Sequence, residues 1–433
     1  MTLKDTFDKL DAGRYVNTRE IIMGGIPYNA RDIILKAPLL AGLNVYLVGD
    51  TGEGKTELAN DLIGYFGDNS CYMMGRPDFE PSELLKQVNL GKLKDVKNDK
   101  ELIELTDNVN KMMYYSDELN RAPPIVQNYF FDFMDGKLVH NGKIFRLGKN
   151  GYTVGYASGN LGNGEYVGVS NSDRALLDRM HMIIKLDYPD YCTTELDDLR
   201  IFSGKKNPRA SMPENKDISD SILAMHNEFG KKNVSMILPL LGVYLTKGLD
   251  YVENVEKHSK RALGSRWAET EGIRTDTDEN KIHPLSKRAV FGGMVLAYSL
   301  ETIAKERGQN PRIVDLFLDS LRLTVPFSGV LSPTYVDMAH NGDAYSAFDS
   351  LLGADSQNRA EIINKVDVLE EALLLAEAGK KDDALLQDIA SQEGKWMPVR
   401  NAISTYADVQ AENPTEKGKQ IQEFIAEAHK SKK

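Results

Sequence analysis

Apolar residues follow two different periods along the chain. Val45-Tyr46-Leu47-Val48, Cys71–Met74, Met112–Tyr115, Tyr152–Ala157 and Met182–Leu186 are short runs without polar alternation. Bounded by turn formers, the run Val45–Val48 predicts a strand buried on both faces, and the others predict further strands. Between them the spacing is helical: Ile33-Ile34-Leu35 and Leu39-Leu40 predict a helix from Arg31 to Leu40 that ends at Gly42, and Glu57 to Phe66 predicts another. Strands alternating with helices indicate an α/β unit on a mainly parallel sheet.

After about Asp190 the texture changes. Lys205 to Lys216 is polar, carries Pro208 and Pro213, and reads as a linker. Ile218–Glu228, Ser235–Leu245, Ser286–Lys305 and Pro311–Thr324 then repeat at helical period. Glu269–Lys281 is dense in charge and threonine and predicts a long exposed loop. From Ser356 onward helices are expected again, with one stripe at Leu369, Leu373, Leu374 and Leu375 and another at Ile421, Phe424 and Ile425. The expected organisation is a polar lead segment, 1–28, an α/β core, 29–204, a helical segment, 205–352, and a helical C-terminal extension, 353–433. The sequence shows no internal repeat.

At about 150 residues per domain, 433 residues suggest roughly three folding units, enough to bury a core without disulfides. The 53 Lys and Arg against 64 Asp and Glu leave a net charge of −11, which disfavours a generally basic nucleic-acid binder. Cys71 and Cys192 are far apart and in no C-x-x-C pair, so they read as reduced thiols. The seven histidines form no metal-binding pattern. The charged start Met1-Thr2-Leu3-Lys4-Asp5 is unlike a signal peptide, and no apolar run approaches the roughly 18 residues of a membrane span. A cytoplasmic location is the expectation.

The chemistry begins directly after Val48. Gly49-Asp50-Thr51-Gly52-Glu53-Gly54-Lys55-Thr56 fits G-x-x-x-x-G-K-[ST], placed between a buried strand and a helix as a phosphate loop must be. Its backbone N–H groups and the helix N-terminus would wrap phosphate oxygens, Lys55 would neutralise the β- and γ-phosphates, and Thr56 would hold Mg²⁺. About 60 residues on, Met112-Met113-Tyr114-Tyr115-Ser116 runs into Asp117-Glu118. Asp117 can hold Mg²⁺ and Glu118 can polarise the attacking water. A G-x-S-x-G elbow at Gly155–Gly159 fails on spacing, because Ser158 falls one place late.

The segment Asp117-Glu118-Leu119-Asn120-Arg121-Ala122-Pro123-Pro124-Ile125-Val126-Gln127 resembles the D-E-I-N-R-A-P-P-x-V-Q signature of MoxR-like ATPases, a branch of the AAA+ superfamily. Arg76–Leu84 is similar to the family's stretch after its second strand, and Gly136–Leu147 reads as its β-hairpin with an Asn141-Gly142 turn. Tyr156-Ala157-Ser158-Gly159-Asn160 sits where the family has a sensor-1 segment ending A-T-x-N, which implies that Asn160 lies between the attacking water and the γ-phosphate. Gly164-Glu165-Tyr166 and Ala175-Leu176-Leu177-Asp178-Arg179-Met180 resemble G-T-Y and A-x-L-D-R-F, which makes Arg179 the arginine finger, with Arg174 a second candidate. Ser286-Lys287-Arg288-Ala289 resembles the sensor-2 motif S-P-R-A, with Lys287 in place of proline, so that Arg288 would contact the nucleotide from a lid.

The resemblance spans about residues 15 to 330. It implies an α/β P-loop NTPase core of AAA+ type with a mainly parallel five-stranded sheet and a helical lid; the helical C-terminal segment lies outside it. It further implies a hydrolase using ATP and Mg²⁺ that assembles into a ring, expected as a hexamer, and acts chaperone-like on a protein client. Such proteins often work with a von Willebrand factor A domain partner. Two alternatives stand beside it. One is a nucleic-acid motor, for which Lys137, His140, Lys143 and Arg146 give the hairpin some basic character; the other is a nucleotide-gated scaffold with little turnover.

Overall fold

The computed structural model describes residues 2–50, 52–78, 86–88, 103–123, 127, 130, 132–140, 143–159, 179–204, 214–232, 234–275, 277–391 and 393–430. In chain order its strands are β1 (Glu20–Met23), β2 (Ile26–Asn29), β3 (Val45–Val48), β4 (Ser70–Met74), β5 (Lys86–Val88), β6 (Ile103–Leu105), β7 (Met113–Asp117), β8 (Lys137–His140), β9 (Lys143–Arg146), β10 (Val154–Gly159) and β11 (Met182–Lys185). The unalternating apolar runs form one five-stranded parallel sheet in the order β11-β3-β10-β7-β4. Every residue of β3, β7 and β10 is buried, so the period-2 pattern of a half-exposed strand has no reason to appear in them. The pairs β1–β2, β5–β6 and β8–β9 are antiparallel. Asn141 and Gly142, expected as the turn of the β8–β9 hairpin, lie outside the described residues.

The helices are α1 (Leu3–Asp11), α2 (Ala37–Ala41), α3 (Lys55–Phe66), α4 (Glu195–Phe202), α5 (Ser219–Phe229), α6 (Ile237–Lys247), α7 (Lys260–Leu263), α8 (Lys287–Glu306), α9 (Ile313–Thr324), α10 (Pro333–His340), α11 (Ala344–Leu352), α12 (Gln357–Glu377), α13 (Asp383–Ile389), α14 (Met397–Gln410) and α15 (Glu416–Lys430). The chain divides into two compact units, one of Met1–Lys232 with Val295–Leu316, the other of Asn233–Met294 with Phe317–Lys433.

The first unit holds the sheet. Its lead segment is more ordered than its polar sequence suggests. Thr2 and Asp5 cap α1 reciprocally, and β1 and β2 form a hairpin. The helix expected from Arg31 to Leu40 opens as a wide π turn, Asp32–Lys36, and continues as α2 to Gly42. The wide turn coincides with a buried charge cluster in which the Lys36 ammonium meets Asp32 at 3.0 Å and Asp11 at 2.6 Å, while Arg307 meets Asp32 at 2.6 Å.

The second unit is helical. Tyr244 of α6 stacks on Trp396 with ring centroids 4.2 Å apart, and Arg359 of α12 pairs with Asp319 of α9 at 2.5 Å. Leu369 and Leu373 are core residues, whereas Leu374 of the same expected stripe is 68% exposed. Of the stretch Glu269–Lys281, expected as a long exposed loop, Glu269, Glu271, Gly272, Arg274 and Thr275 are exposed, whereas Asp278 and Glu279 are each only 4% exposed. Asp278 pairs with Lys395, and the fully buried Lys260 donates to the carbonyls of Asp278 and Ile282. The charges that made this segment look solvated find partners far away in sequence, which no local pattern reveals.

Candidate functional site

The site is built at the C-terminal ends of β3, β10 and β7. From β3 the chain passes to β4, returns through β7 and β10, and then crosses to β11 on the far side of β3. Ligands of open parallel sheets bind outside the carboxyl ends of strands at such a reversal.

The loop after β3 makes the cradle. Gly49, Gly52 and Gly54 have φ of +148, +97 and +76, a region that side-chain-bearing residues avoid. Among the described residues a Cβ at Gly52 would meet nothing within 4 Å, which leaves room for a ligand on that side. Lys55 begins α3 and donates to the carbonyls of Gly49 and Asp50, both at 2.6 Å, which closes the loop on itself. Burial pulls the Lys55 pKa down, opposed by Glu53, Asp117, Asp187 and Asp50. A cation in the first turn of a helix is unfavourable for the helix itself, so its place here belongs to ligand chemistry. Thr56 follows, exposed, in the same turn. Thr51 lies outside the described residues.

Asp117 ends β7 and is 7% exposed. Its oxygens accept from Tyr72 Oη at 3.0 Å and from Ser158 Oγ. Glu118 follows in a left-handed conformation, φ 51, which is strained for a residue with a side chain. Its carboxylate meets Arg121 at 2.9 Å, and its backbone N–H donates to Ser158 Oγ at 3.1 Å. Tyr115 Oη, also from β7, donates to the carbonyl of Lys55 at 3.2 Å and ties the acidic strand to the head of α3. Among the described residues no group of three His, Cys, Asp or Glu side chains is placed to hold a metal. A cation held by Asp117 and Thr56 would need further oxygens from phosphate and water, as Mg²⁺ does in nucleotide sites. The donors are all hard oxygens and fit that ion.

Several supporting residues carry no local motif. Asp61 of α3 pairs with the buried Arg31 at 2.8 Å and accepts the backbone N–H groups of Arg14 and Tyr15. This ties the lead segment to the loop helix and sets the Tyr15 ring against Gly54, where a Cβ would be 3.0 Å from it. Asn44, 3% exposed, joins the start of β3 to Met134 and Arg179 through Nδ2 and to Gly155 through Oδ1. Ser158 could have been found from the A-T-x-N resemblance, where it takes the place of threonine; Tyr72, Tyr15 and Asn44 had no such signal.

The expected arginine finger is placed at the other end of the sheet. β11 runs beside β3 in parallel register, Met182 opposite Val45 and Lys185 opposite Val48. Arg179 precedes β11, so it is separated from its own phosphate loop by the length of β3, about 13 Å or more. Its Nε donates to Asp135 at 3.3 Å. Asp132, next to that pair, has its carboxyl pushed up by burial and by Asp135. Arg288 lies in the first turn of α8 in the second unit, a turn capped by Ser286 Oγ, which accepts from Ala289 N–H at 3.0 Å. Asn160 and Arg174 lie outside the described residues.

Glu53 brings an unwelcome charge into the cradle. Burial pushes its carboxyl pKa up, Asp187 adds to this, and Lys55 opposes it. Ionised Glu53 repels a polyphosphate, so affinity should fall as pH rises through its titration. Glu53→Gln is expected to tighten nucleotide binding at neutral pH by about 1 kcal/mol, a few-fold in Kd, with the gain vanishing in acid. Calorimetric titration at several pH values checks this, and equal gains at all pH would contradict it.

The AAA domain of the dynein-related subfamily matches residues 44–180. No curated protein matches the sequence. Among solved structures, a protein of Cytophaga hutchinsonii described as a "putative ATPase" superposes with a TM-score of 0.52 at 17% identity, covering 80% of this chain and 92% of its own. That likeness concerns the fold. Residues 44–180 are an AAA domain, a parallel sheet flanked by helices, followed by a helical C-terminal region, and the chain is an ATP hydrolase. No helix among the described residues is long and apolar enough to cross a membrane.

Proposed function

We propose that this ATP hydrolase is a MoxR-like AAA+ machine that assembles into a ring, as a hexamer, and remodels or activates a protein client. In this reading Gly49–Thr56 hold the ATP phosphates, Thr56 and Asp117 hold Mg²⁺, Glu118 is the base, and Asn160 senses the γ-phosphate. Arg288 reads the nucleotide from a lid drawn from the helices between 205 and 352. The 353–433 extension is free to vary with the client, and a von Willebrand factor A domain protein is the expected adaptor.

One observation carries the ring. Arg179 lies just before the edge strand β11, at the end of the sheet opposite the phosphate loop of the same chain. An arginine finger is worth several orders of magnitude in rate, and from that place it can serve only a neighbouring subunit's site. When bound, magnesium would neutralise phosphate charge. Lys55 and the loop N–H groups bind and orient the nucleotide, Asp117 offers its carboxylate to the cation, and Glu118 takes a proton from the attacking water.

The test mixes two inactive variants. Arg179→Ala keeps an intact phosphate site but lacks the finger; Glu118→Gln keeps the finger but lacks the base. Acting in trans, they should recover a measurable fraction of wild-type turnover when combined. No recovery, together with a monomer of full activity in sedimentation, would overturn the ring.

A further inference from the structure

Asp117 and Glu118 are gripped from both neighbouring strands. β7 lies between β10 and β4 in the sheet. From β10, the fully buried Ser158 donates its hydroxyl proton to Asp117 Oδ1 and accepts the Glu118 backbone N–H at 3.1 Å. From β4, Tyr72 donates to Asp117 Oδ2 at 3.0 Å, its ring braced on Tyr115 with centroids 5.9 Å apart and planes 16° from parallel.

We propose that Tyr72 and Ser158 are positioning residues for the hydrolysis reaction: together they aim the Asp117 carboxylate at the cation, and Ser158 alone also sets the position of Glu118. This rests on the reading of Asp117 as the magnesium-holding acid and Glu118 as the base. A carboxylate oxygen has two lone pairs. One on each Asp117 oxygen is taken by a hydroxyl, so the carboxylate cannot rotate, and the remaining pairs are presented in a fixed direction. Magnesium demands near-ideal octahedral geometry and rewards such fixing. Ser158 has the second task because Glu118 sits in the left-handed region, φ 51, where nothing in its own backbone preference keeps it. The Ser158 hydroxyl accepts the N–H that this conformation turns toward β10.

The two residues should thus fail differently. Binding of a non-hydrolysable ATP analogue is measured calorimetrically with and without Mg²⁺, and turnover is measured as Mg²⁺ is raised. Without Mg²⁺, Tyr72→Phe, Ser158→Ala and Ser158→Thr should bind the analogue like wild type, which also shows that they fold. Tyr72→Phe should need about tenfold more Mg²⁺ for half-maximal binding, and saturating Mg²⁺ should restore its kcat. Ser158→Ala should show the same Mg²⁺ requirement, but its kcat should stay about tenfold or more below wild type at saturating Mg²⁺ with KM unchanged. Ser158→Thr, which keeps the hydroxyl, should recover both. A Mg²⁺ requirement within about twofold of wild type in both Tyr72→Phe and Ser158→Ala would overturn the proposal, as would an equal loss of Mg²⁺-free affinity. Asp117→Asn is the control. If it leaves the Mg²⁺ requirement unchanged, the assignment of Asp117 fails, and that outcome is distinct from failure of the clamp.

Discussion

Lys55→Ala is expected to lose ATP binding while keeping the fold. In the structure the Lys55 ammonium bridges the carbonyls of Gly49 and Asp50 at 2.6 Å each. On nucleotide binding those contacts exchange for charge-assisted bonds to phosphate, each worth about 1.5–3 kcal/mol. A loss of about 3 kcal/mol raises Kd by roughly two orders of magnitude. The fold should tolerate the change, because α3 gains alanine and sheds a cation from its first turn. The apo melting temperature should therefore stay near that of wild type, and the upward shift that ATP confers on wild type should vanish. Retention of wild-type affinity would remove Lys55 from the phosphate site.

Glu118→Gln is expected to separate binding from chemistry. The substitution keeps volume and backbone, so the Ser158 contact to the residue's N–H persists. Glutamine cannot accept a proton from water, and removal of a general base costs about two to four orders of magnitude in rate. Nucleotide affinity should change little, since Glu118 is partly exposed and paired with Arg121 rather than aimed at the loop. The expected result is a protein that holds ATP for long times, measured as tight binding with turnover reduced by about a hundredfold or more. Unchanged kcat would assign the base elsewhere. The same variant, loaded with ATP, is the natural bait for identifying the client.

Much of the site was legible because its chemistry is local. A phosphate loop needs glycines at left-handed positions and a lysine at the head of a helix, and this requirement is written in eight consecutive residues, Gly49 to Thr56. Asp117-Glu118 was legible because it ends an apolar run about 60 residues after a phosphate loop; an acid pair at a strand end is by itself common. The sheet strands were legible because burial on both faces leaves runs of mostly apolar residues without polar alternation in β3, β7 and β10. Less visible was the lead segment. Tyr15 reaches the loop through contacts with residues roughly 15 to 50 positions away, Arg31 and Asp61 among them. Within Glu269–Lys281 the burial of Asp278 was not legible, because its partner Lys395 is more than a hundred residues distant.

The sequence by itself determined the class of chemistry and the elements that carry it, because phosphate loops, strand ends and helix periods are set by residues close together in the chain. Tertiary structure alone decided how these parts are aimed. The order β11-β3-β10-β7-β4 set Ser158 and Tyr72 on either side of Asp117 and sent Arg179 to the far end of the sheet. Strand order follows from crossover packing and the pairing of backbone groups across the sheet, which depend on contacts between residues some 40 to 140 positions apart. A hydroxyl that steadies a metal-holding carboxylate therefore looks, in the sequence, like any other serine or tyrosine in a buried strand.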